Sequence, residues 1–414
     1  MHTIELINFI ISVIFAACYA YQYVYILVPI FIKSKPHKEA SYHRFAALIC
    51  ARNEAAVIGN CIESIFAQKY PDGLLKVFVV ADNCTDDTAK VAREAGAHVY
   101  ERFDSKKIGK GYALNFLFKR IRNDFPKNAF DGFFIFDADN LVDENYAEEM
   151  NKTFCDGFNV ATCYRNSKNY GDNWLSAGYG LWFLRESRYL NGSRMLIGTG
   201  CAVSGTGFMI SRSFLGRIGG WNFFLLIEDI EFTTRCAILG ERIGYNPKAI
   251  VYDEQPVKFR QSWRQRLRWS KGYLQVLGKY FTQLTKGIFR GSFTCYDMWM
   301  NIMPAFVLSI IGQIANIVGI VLGFCLGGDL MIAIHSVLEM LFNSYIVLFI
   351  VGLITTITEW RNIYTSPLKK ILYTFTFPIF MFTYLPISIA ALFSKVSWTP
   401  IEHTKVRRIA DVTR

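Results

Sequence analysis

Two aspartates one residue apart, Asp137 and Asp139, directly follow an apolar run at residues 133–136. The run predicts a buried strand, and residues two apart on an extended chain face the same side. Mg²⁺ is held in proteins by one or two carboxylates, and phosphate oxygens of a substrate complete its shell. Taken alone, the pair fits a metal–nucleotide site and a solvated polar strand end equally well.

Other acidic side chains follow neighbouring strands of the predicted domain. Glu54 comes shortly after an apolar run at 45–50, and Asp82 follows a second one at 77–80. These strands and a further one at 98–101 alternate with helical patterns, which predicts a parallel α/β sheet with crossover connections. Ligands of such sheets bind beyond the carboxyl ends of the strands. The convergence favours the metal–nucleotide interpretation.

Composition narrows the class of protein. The chain has 414 residues, is 52% hydrophobic and has a formal net charge of +11. This excess of positive charge suits an anionic membrane surface or anionic substrates. The sequence contains no recognisable nucleic-acid module, so we expect no nucleic-acid partner. The ten cysteines have no zinc-like spacing and are expected to be reduced thiols facing a cytosol.

The N-terminal stretch predicts a membrane span. Residues 6–32 carry no charge and exceed the roughly 20 residues needed to cross a bilayer. A cleaved signal peptide is disfavoured, because no basic segment precedes the apolar run and the run is too long. Lys33, Lys35 and Lys38 follow at once, which places the next domain in the cytoplasm by the positive-inside rule.

The C-terminal third is predicted to be membrane-associated. Residues 261–283 form a basic amphipathic pattern typical of an interfacial helix, and apolar blocks follow at 302–326, 330–357 and 371–393. Three crossings would leave the basic tail outside, against the positive-inside rule. Because Pro378 and Pro386 interrupt helices, we predict that the last block is a broken or re-entrant hairpin that returns to the cytoplasm.

The predicted organisation therefore has five parts. Residues 1–35 form a transmembrane helix, 36–260 a cytosolic α/β domain and 261–300 interfacial helices. Residues 301–393 form a membrane region with two spans and the broken segment, and 394–414 form a cytosolic tail.

Residues 44–275 resemble the inverting family 2 glycosyltransferases, which have a GT-A fold and use nucleotide-sugar donors. The family's motifs appear in its order: residues 51–54 (Ala-Arg-Asn-Glu), Asp82, residues 137–139 (Asp-Ala-Asp), residues 227–229 (Ile-Glu-Asp) and residues 265–269 (Gln-Arg-Leu-Arg-Trp). Ile227 replaces the usual threonine of the acidic T-E-D motif. The last motif is a full Q-x-x-R-W, which marks processive polysaccharide synthases, and residues 79–88 and 109–114 look most like exopolysaccharide synthases.

The resemblance implies a fold and a set of roles. The fold is a GT-A domain, a Rossmann-like mixed α/β sheet that binds a nucleotide sugar, embedded among transmembrane and interfacial helices. The catalytic residues are Asp229, as the base, and Glu228. The donor nucleotide is bound by Arg52, Glu54, Asp82, Lys110, Asp137 and Arg268, and Asp139 holds Mg²⁺ or Mn²⁺. The acceptor is bound by Gln265, Trp269, Cys201, Ser204 and Gly205, and a gating segment contains Trp398 and Thr399.

Three of these residues have simpler interpretations that the sequence leaves open. Asp229 can be an acid that stabilises a helix start, Lys110 a loop lysine between two glycines, and Trp269 an anchor at the membrane interface.

The function implied by the resemblance is that of a processive β-glycosyltransferase in the plasma (inner) membrane, with its catalytic domain in the cytoplasm. It would polymerise a sugar from a UDP-sugar, with glucose as the expected sugar, onto a growing polysaccharide and secrete the chain across the lipid bilayer. One alternative is a lipid glycosyltransferase of the ceramide-glucosyltransferase type. Another is a non-catalytic polysaccharide export channel. The sequence leaves the linkage, the accessory subunits and the oligomeric state open.

Overall fold

The structure, a computed structural model, describes residues 2–302, 304–325, 330–399 and 406–412. Within them, one eight-stranded sheet has the order β3-β2-β1-β4-β7-β6-β8-β5. Its strands are β1 Phe45–Ala51, β2 Leu75–Asp82, β3 His98–Arg102, β4 Gly132–Asp137, β5 Leu141–Val142, β6 Val160–Ser167, β7 Phe208–Ser211 and β8 Ile243–Asp253. The four strands predicted from the sequence are confirmed.

The sheet has a parallel half and a mixed half. Strand β1 pairs in parallel with β2 and β4, and β2 pairs in parallel with β3. Strand β7 then runs antiparallel between β4 and β6, and β6 pairs in parallel with β8. The predicted parallel arrangement therefore holds for β1–β4, and the sheet as a whole is the mixed sheet of the predicted fold class.

Helices cover both faces of the sheet. They are α2 Ile58–Phe66, α3 Thr88–Glu94, α4 Lys110–Asp124, α5 Tyr146–Cys155, α6 Trp174–Arg185, α7 Gly192–Ile197, α8 Arg212–Arg217 and α9 Glu228–Leu239, with a π-helical segment at Glu186–Asn191 between α6 and α7. Alternate residues of β1 serve opposite cores, because Leu48 packs in the cluster beneath α4 and Ile49 in the cluster beneath α2. Burial on both faces explains why the sequences of β1, β2 and β4 are mostly apolar.

The remaining helices are α1 His2–Phe31, α10 Phe259–Phe289, α11 Phe293–Ile302, α12 Pro304–Cys325, α13 Leu330–Thr358, α14 Pro367–Phe382 and α15 Tyr384–Phe393. Among the described residues, three segments are long and apolar enough to cross a membrane: Phe9–Phe31, Val337–Thr358 and Pro367–Phe393. The first and second agree with predicted spans, and the third covers the block for which a hairpin was predicted.

The break between α14 and α15 falls at Thr383 rather than at a proline. Pro378 lies inside α14, and Pro386 lies in the first turn of α15, where a missing N–H is tolerated. At the break, Nη1 of Arg266 donates to the Thr383 hydroxyl at 2.5 Å and to the Phe380 carbonyl at 3.3 Å. Pro386 has no N–H to bond the Phe382 carbonyl, so it disfavours continuing α14 past Phe382, in agreement with the expected interruption; Pro378 does not interrupt α14.

Both ends of the α14–α15 pair contact other parts of the protein. Lys369 in the first turn of α14 donates to the Gly171 carbonyl of the α/β domain at 2.7 Å. Near the end of α15, the Ala391 carbonyl accepts from Lys271 of α10 at 3.0 Å. The start of α14 therefore contacts the α/β domain and the end of α15 contacts α10, and the re-entrant hairpin stays a prediction.

The C-terminal residues lie against the α/β domain. The amide of Asn60 in α2 donates to the Arg407 carbonyl at 3.0 Å. Val412 packs in a small cluster with Leu141 and Tyr252. Of the predicted gating segment, Trp398 and Thr399 belong to the described residues, whereas residues 400–404 lie outside them.

Candidate active site

The carboxyl ends of β1, β2 and β4 lie side by side. The register pairs Ala51 with Ala81 and Cys50 with Asp137, so the three strands end almost in step. Asp82, which ends β2, is 4% exposed and forms an ion pair with Arg102 at the end of β3. Burial raises the pKa of Asp82, although Arg102 opposes this effect. These ends form one polar edge, as the sequence predicted.

The loops that follow β1 and β2 fix each other. Asn53 and Asn83 have positive φ angles of 57° and 53°, a conformation that asparagine tolerates better than most residues. The Asn53 side chain accepts a hydrogen bond from the backbone N–H of Thr85 at 2.8 Å, and the N–H of Glu54 donates to Thr88 at 2.8 Å. This pairing holds the predicted donor-binding loop at residues 52–54 above the sheet edge.

Lys110, the first residue of α4, joins two sides of the site. Its Nζ lies 2.5 Å from Oδ1 of Asp137 and 2.7 Å from the Gly205 carbonyl oxygen. Burial opposes the charge of Lys110, but Asp137 and Glu228 outweigh burial and raise its pKa. The close approach of α4 requires Gly111, because a Cβ there would lie 2.0 Å from the carbonyl oxygen of Phe223. Lys110 is therefore a built-in cation rather than a mobile loop lysine.

Asp139 does not continue the strand. Strand β4 ends at Asp137, and the chain turns through Ala138 and Asp139, so the argument from an extended chain was wrong for the second carboxylate. The turn buries Asp139 to 6% exposure and brings its Oδ2 within 3.0 Å of the backbone N–H of Glu254, which follows β8. The Asp139 carboxylate is thus fixed at the junction of β4 and β8.

A further carboxylate stands close by. Burial raises the pKa of Asp253, the last residue of β8, to about 6; Arg165 opposes this rise, and Asp139 and Asp137 add to it. The described residues contain no cluster of three or more His, Cys, Asp or Glu side chains that could hold a metal by themselves. This donor set fits Mg²⁺ or Mn²⁺ held by Asp139, with diphosphate oxygens as the remaining ligands.

Glu228 and Asp229 begin α9 on the opposite side of Lys110. Glu228 is 8% exposed, and Asp229 is half-buried. Burial raises the pKa of both carboxyls, and the nearby Lys110 opposes the rise without cancelling it. A Cβ on Gly205 would lie 3.9 Å from Oδ2 of Asp229, so the backbone of Gly205 borders this carboxylate.

Helix α10 supplies the residues of the Q-x-x-R-W motif. Nη1 of Arg268 donates to the Leu226 carbonyl at 3.3 Å, and its guanidinium interacts electrostatically with Glu228, Asp229 and Asp137. Burial lowers the pKa of Arg268. Oε1 of Gln265 is buried and has no hydrogen-bond partner within the described part of the chain.

The ring of Trp269 lies among other aromatic rings. It packs edge-on against Tyr179 and Phe183 of α6, with ring centroids 5.7 and 6.4 Å away. The Trp269 side chain therefore faces α6, and it forms a wall between the α/β domain and the apolar helices.

The remaining predicted site residues lie in different parts of the protein. The hydroxyl and carbonyl groups of Ser204 face Arg165, whereas the Cys201 thiol donates to the Asn191 carbonyl at 3.3 Å and is buried in the core. The guanidinium of Arg52 lies 5.2 Å from the ring centroid of Trp398, which brings the tail to the donor-binding loop. Thr399 is exposed.

Sequence reasoning missed four charged residues of the site: Arg102, Arg165, Glu186 and Asp253. Three of them lie at or near strand ends, where the rule that found Asp82 and Asp137 applies equally. Asp253 follows an apolar run at 249–252 and could have been found in this way. Glu186 has no such signal, because it lies in the π-helical segment.

This fold and this site define a glycosyltransferase of the GT-A class. The chain belongs to glycosyltransferase-like family 2, because residues 43–272 match the model of that family.

Curated relatives are similar to this chain over part of their length. A probable glycosyltransferase of Bacillus subtilis, YdaM, is 28% identical over 59% of this chain and 58% of its own length. A beta-monoglucosyldiacylglycerol synthase of Synechocystis is 25% identical over 56% of this chain and 48% of its own. A poly-beta-1,6-N-acetyl-D-glucosamine synthase of Staphylococcus epidermidis is 22% identical, over 62% and 63% respectively.

A solved structure supports the fold over most of the chain. A mannosyltransferase of Pyrobaculum calidifontis, solved in complex with GDP-Man and Mn²⁺, superimposes with a TM-score of 0.58. The match is 16% identical in sequence and covers 94% of this chain and 99% of that one. At this identity the likeness establishes the GT-A fold.

Proposed function

We propose that this protein is a membrane-embedded inverting glycosyltransferase that transfers a sugar from UDP-sugar to a hydroxyl group. The observation that carries the proposal is that Lys110 and the backbone of Gly205 separate two groups of carboxylates. Asp82, Asp137 and Asp139 lie at the sheet edge, and Asp229 lies beyond Lys110 and Gly205. An inverting transfer needs this division, because the acceptor hydroxyl that the base deprotonates and the leaving diphosphate lie on opposite sides of the anomeric carbon.

The donor half binds the nucleotide and its diphosphate. Asp82 is suited to hydrogen-bond the uridine, next to the loop that carries Arg52 and Glu54. Asp139 would hold Mg²⁺ or Mn²⁺, which neutralises charge on the leaving diphosphate when bound. Lys110 and Arg268 are positive charges fixed beside the site, so they stabilise the departing UDP without reorganisation.

The acceptor half removes a proton. Asp229 takes the hydrogen of the acceptor hydroxyl, its oxygen attacks the anomeric carbon, and the bond from that carbon to the diphosphate breaks. UDP leaves with the bonding electrons, and the configuration inverts to a β-linkage. The raised pKa of Asp229 makes this carboxylate a stronger base than an ordinary aspartate.

The proposed product is a polysaccharide. A full Q-x-x-R-W motif and the likeness to a poly-beta-1,6-N-acetyl-D-glucosamine synthase support processive transfer, and glucose is the proposed sugar. The proposed location is the plasma (inner) membrane, with the α/β domain in the cytoplasm and the chain secreted across the bilayer. The proposed domain limits are those predicted from the sequence.

A glycolipid product is the second candidate. The likeness to a beta-monoglucosyldiacylglycerol synthase supports it. A polysaccharide product would need a channel through the membrane for the growing chain. A single transfer to a lipid needs no such channel.

Purified protein in nanodiscs tests both candidates. Nucleotide release is measured for UDP-glucose, UDP-N-acetylglucosamine and GDP-mannose, and the product from the radiolabelled donor is sized. We expect release from UDP-glucose and a high-molecular-weight product that is lost in Asp229→Asn. A single-sugar lipid would favour the glycolipid candidate. Release that is equal in wild type and Asp229→Asn would contradict the proposed enzyme activity.

A further inference from the structure

Glu186 lies inside the protein near Asp229. It begins the π-helical segment between α6 and α7, and such segments occur frequently at functional sites. Its side chain is surrounded by protein, yet it keeps partial exposure, so it faces an internal cavity. Asp229 and Glu186 repel each other, and the Tyr273 hydroxyl interacts with both carboxylates. The two acids therefore border the same cavity.

A short chain of contacts connects Glu186 with the catalytic centre. Oε2 of Glu186 accepts a hydrogen bond from the Ser204 hydroxyl at 3.2 Å. Ser204 also accepts from Nη1 of Arg165, at 2.9 Å through its carbonyl and at 3.3 Å through its hydroxyl. The next residue, Gly205, borders Asp229. Glu186 therefore contacts Ser204, and the next residue along the chain borders the proposed base.

Oε1 of Glu186 has no hydrogen-bond partner among the described residues, and Glu186 forms no ion pair there. The nearby cations are engaged elsewhere. Arg165 pairs with Asp253 and Arg194 pairs with Asp297. A carboxylate oxygen that faces a cavity without a protein donor is suited to a ligand that donates hydrogen bonds.

The next cation, Arg185, is also engaged elsewhere. Arg185 turns away toward α1, where its Nη2 donates to Oε1 of Gln22 at 2.8 Å. Trp269 and Tyr273 are four residues apart on α10 and therefore lie on one face of that helix. Aromatic side chains beside a carboxylate suit a polyol, which presents C–H groups to the rings and hydroxyls to the acid.

We propose that Glu186 forms an acceptor subsite below Asp229 that binds the hydroxyl groups of an uncharged acceptor. The acceptor is a sugar residue or a glycerol group. It carries no phosphate or carboxylate next to the reacting hydroxyl. The negative charge of Glu186 repels such anionic groups. This inference rests on the proposed function and adds the chemical class of the acceptor.

The test compares full-length wild type with Glu186→Gln in nanodiscs, using the donor that gives nucleotide release. One pair of acceptors is diacylglycerol and phosphatidylglycerol; the other is a neutral oligosaccharide and the same oligosaccharide ending in a uronic acid. We expect Glu186→Gln to raise KM for the neutral acceptors about tenfold or more, since hydrogen bonds to a charged group are lost. The preference for neutral over anionic acceptors should fall, and donor KM should change less than about twofold.

Two further variants separate binding from folding. Glu186→Asp keeps the charge and should retain the preference for neutral acceptors. Glu359 is a buried glutamate whose oxygens accept from Tyr164 and Arg188, and Glu359→Gln should lower thermal stability without changing the acceptor preference. An unchanged acceptor KM and preference in Glu186→Gln would overturn the subsite alone. Wild type that releases nucleotide from no donor would overturn the proposed function as well.

Discussion

The carboxylates on the two sides of Lys110 have different partners. On the donor side, Asp82 is paired with Arg102, Asp137 with Lys110, and Asp139 is held by a backbone N–H. On the acceptor side, Glu228 and Asp229 form no ion pair within the described part of the chain, and burial raises the pKa of both. The first set has fixed partners, whereas burial shifts the second set toward taking up a proton.

The difference follows from what each side must do. A donor site has to hold a diphosphate without changing its own protonation, so its acids need fixed positive partners. A general base works best when its pKa approaches the working pH, which burial achieves and an ion pair would prevent. The comparison therefore predicts that donor-side substitutions change binding and acceptor-side substitutions change transfer.

The largest expected effect comes from the acceptor side. Asp229→Asn removes the base and should lower the rate of transfer about 10²–10⁴-fold, the range typical of general base catalysis. Binding of UDP, measured by calorimetry, should stay within about threefold of wild type because the donor carboxylates are intact. A rate within about fivefold of wild type would exclude Asp229 as the base.

The next largest effect is expected from Asp139 and metal removal. In wild type, EDTA should weaken donor binding more than about tenfold, and Mg²⁺ or Mn²⁺ should restore it. Asp139→Asn should bind the donor weakly with or without added metal, as measured by calorimetry. Glu149→Gln, in α5 away from the sheet edge, is the control and should keep the response to metal. A metal response that survives in Asp139→Asn would place the cation elsewhere.

The pH dependence of transfer should show the raised pKa values directly. Protonation of the base stops transfer as the pH falls, and a raised pKa moves this loss above the ordinary carboxyl range near about 4. In Glu228→Gln one of two repelling charges is absent, so the remaining acid should ionise more easily and the acidic limb should move to lower pH. A limb that does not move would show that the two acids titrate independently.

The smallest effect is expected at the tail. Trp398→Ala removes the aromatic ring beside Arg52 and should weaken donor binding about two- to fivefold, which corresponds to a cation–π contact of about 0.5–1 kcal/mol. Trp398→Phe keeps an aromatic face and is expected to bind nearly as wild type. Equal donor affinity in all three proteins would remove the tail from the donor side of the comparison.

Local sequence patterns were sufficient for the parallel half of the fold. Strands β1, β2 and β4 are apolar on both faces, β3 is partly exposed, and helical patterns separate the four, so their positions follow from short stretches of chain. The antiparallel insertion of β7 between β4 and β6 did not follow, because its register depends on residues about 50 to 75 positions apart. The break at Thr383 fits the local effect of Pro386, whereas the contact of Thr383 with Arg266 on another helix could not be read from the sequence.

The sequence by itself determined that Asp82 and Asp137 end their own strands, because a strand end is a local property. Only the tertiary structure decided how Asp139 is turned, which cation pairs with Asp137, and that Glu186 lies close to Asp229. These relations join segments that are far apart in the chain, and their geometry exists only after the sheet and the apolar helices have packed. Residue types fix what chemistry is available, and packing fixes which groups meet.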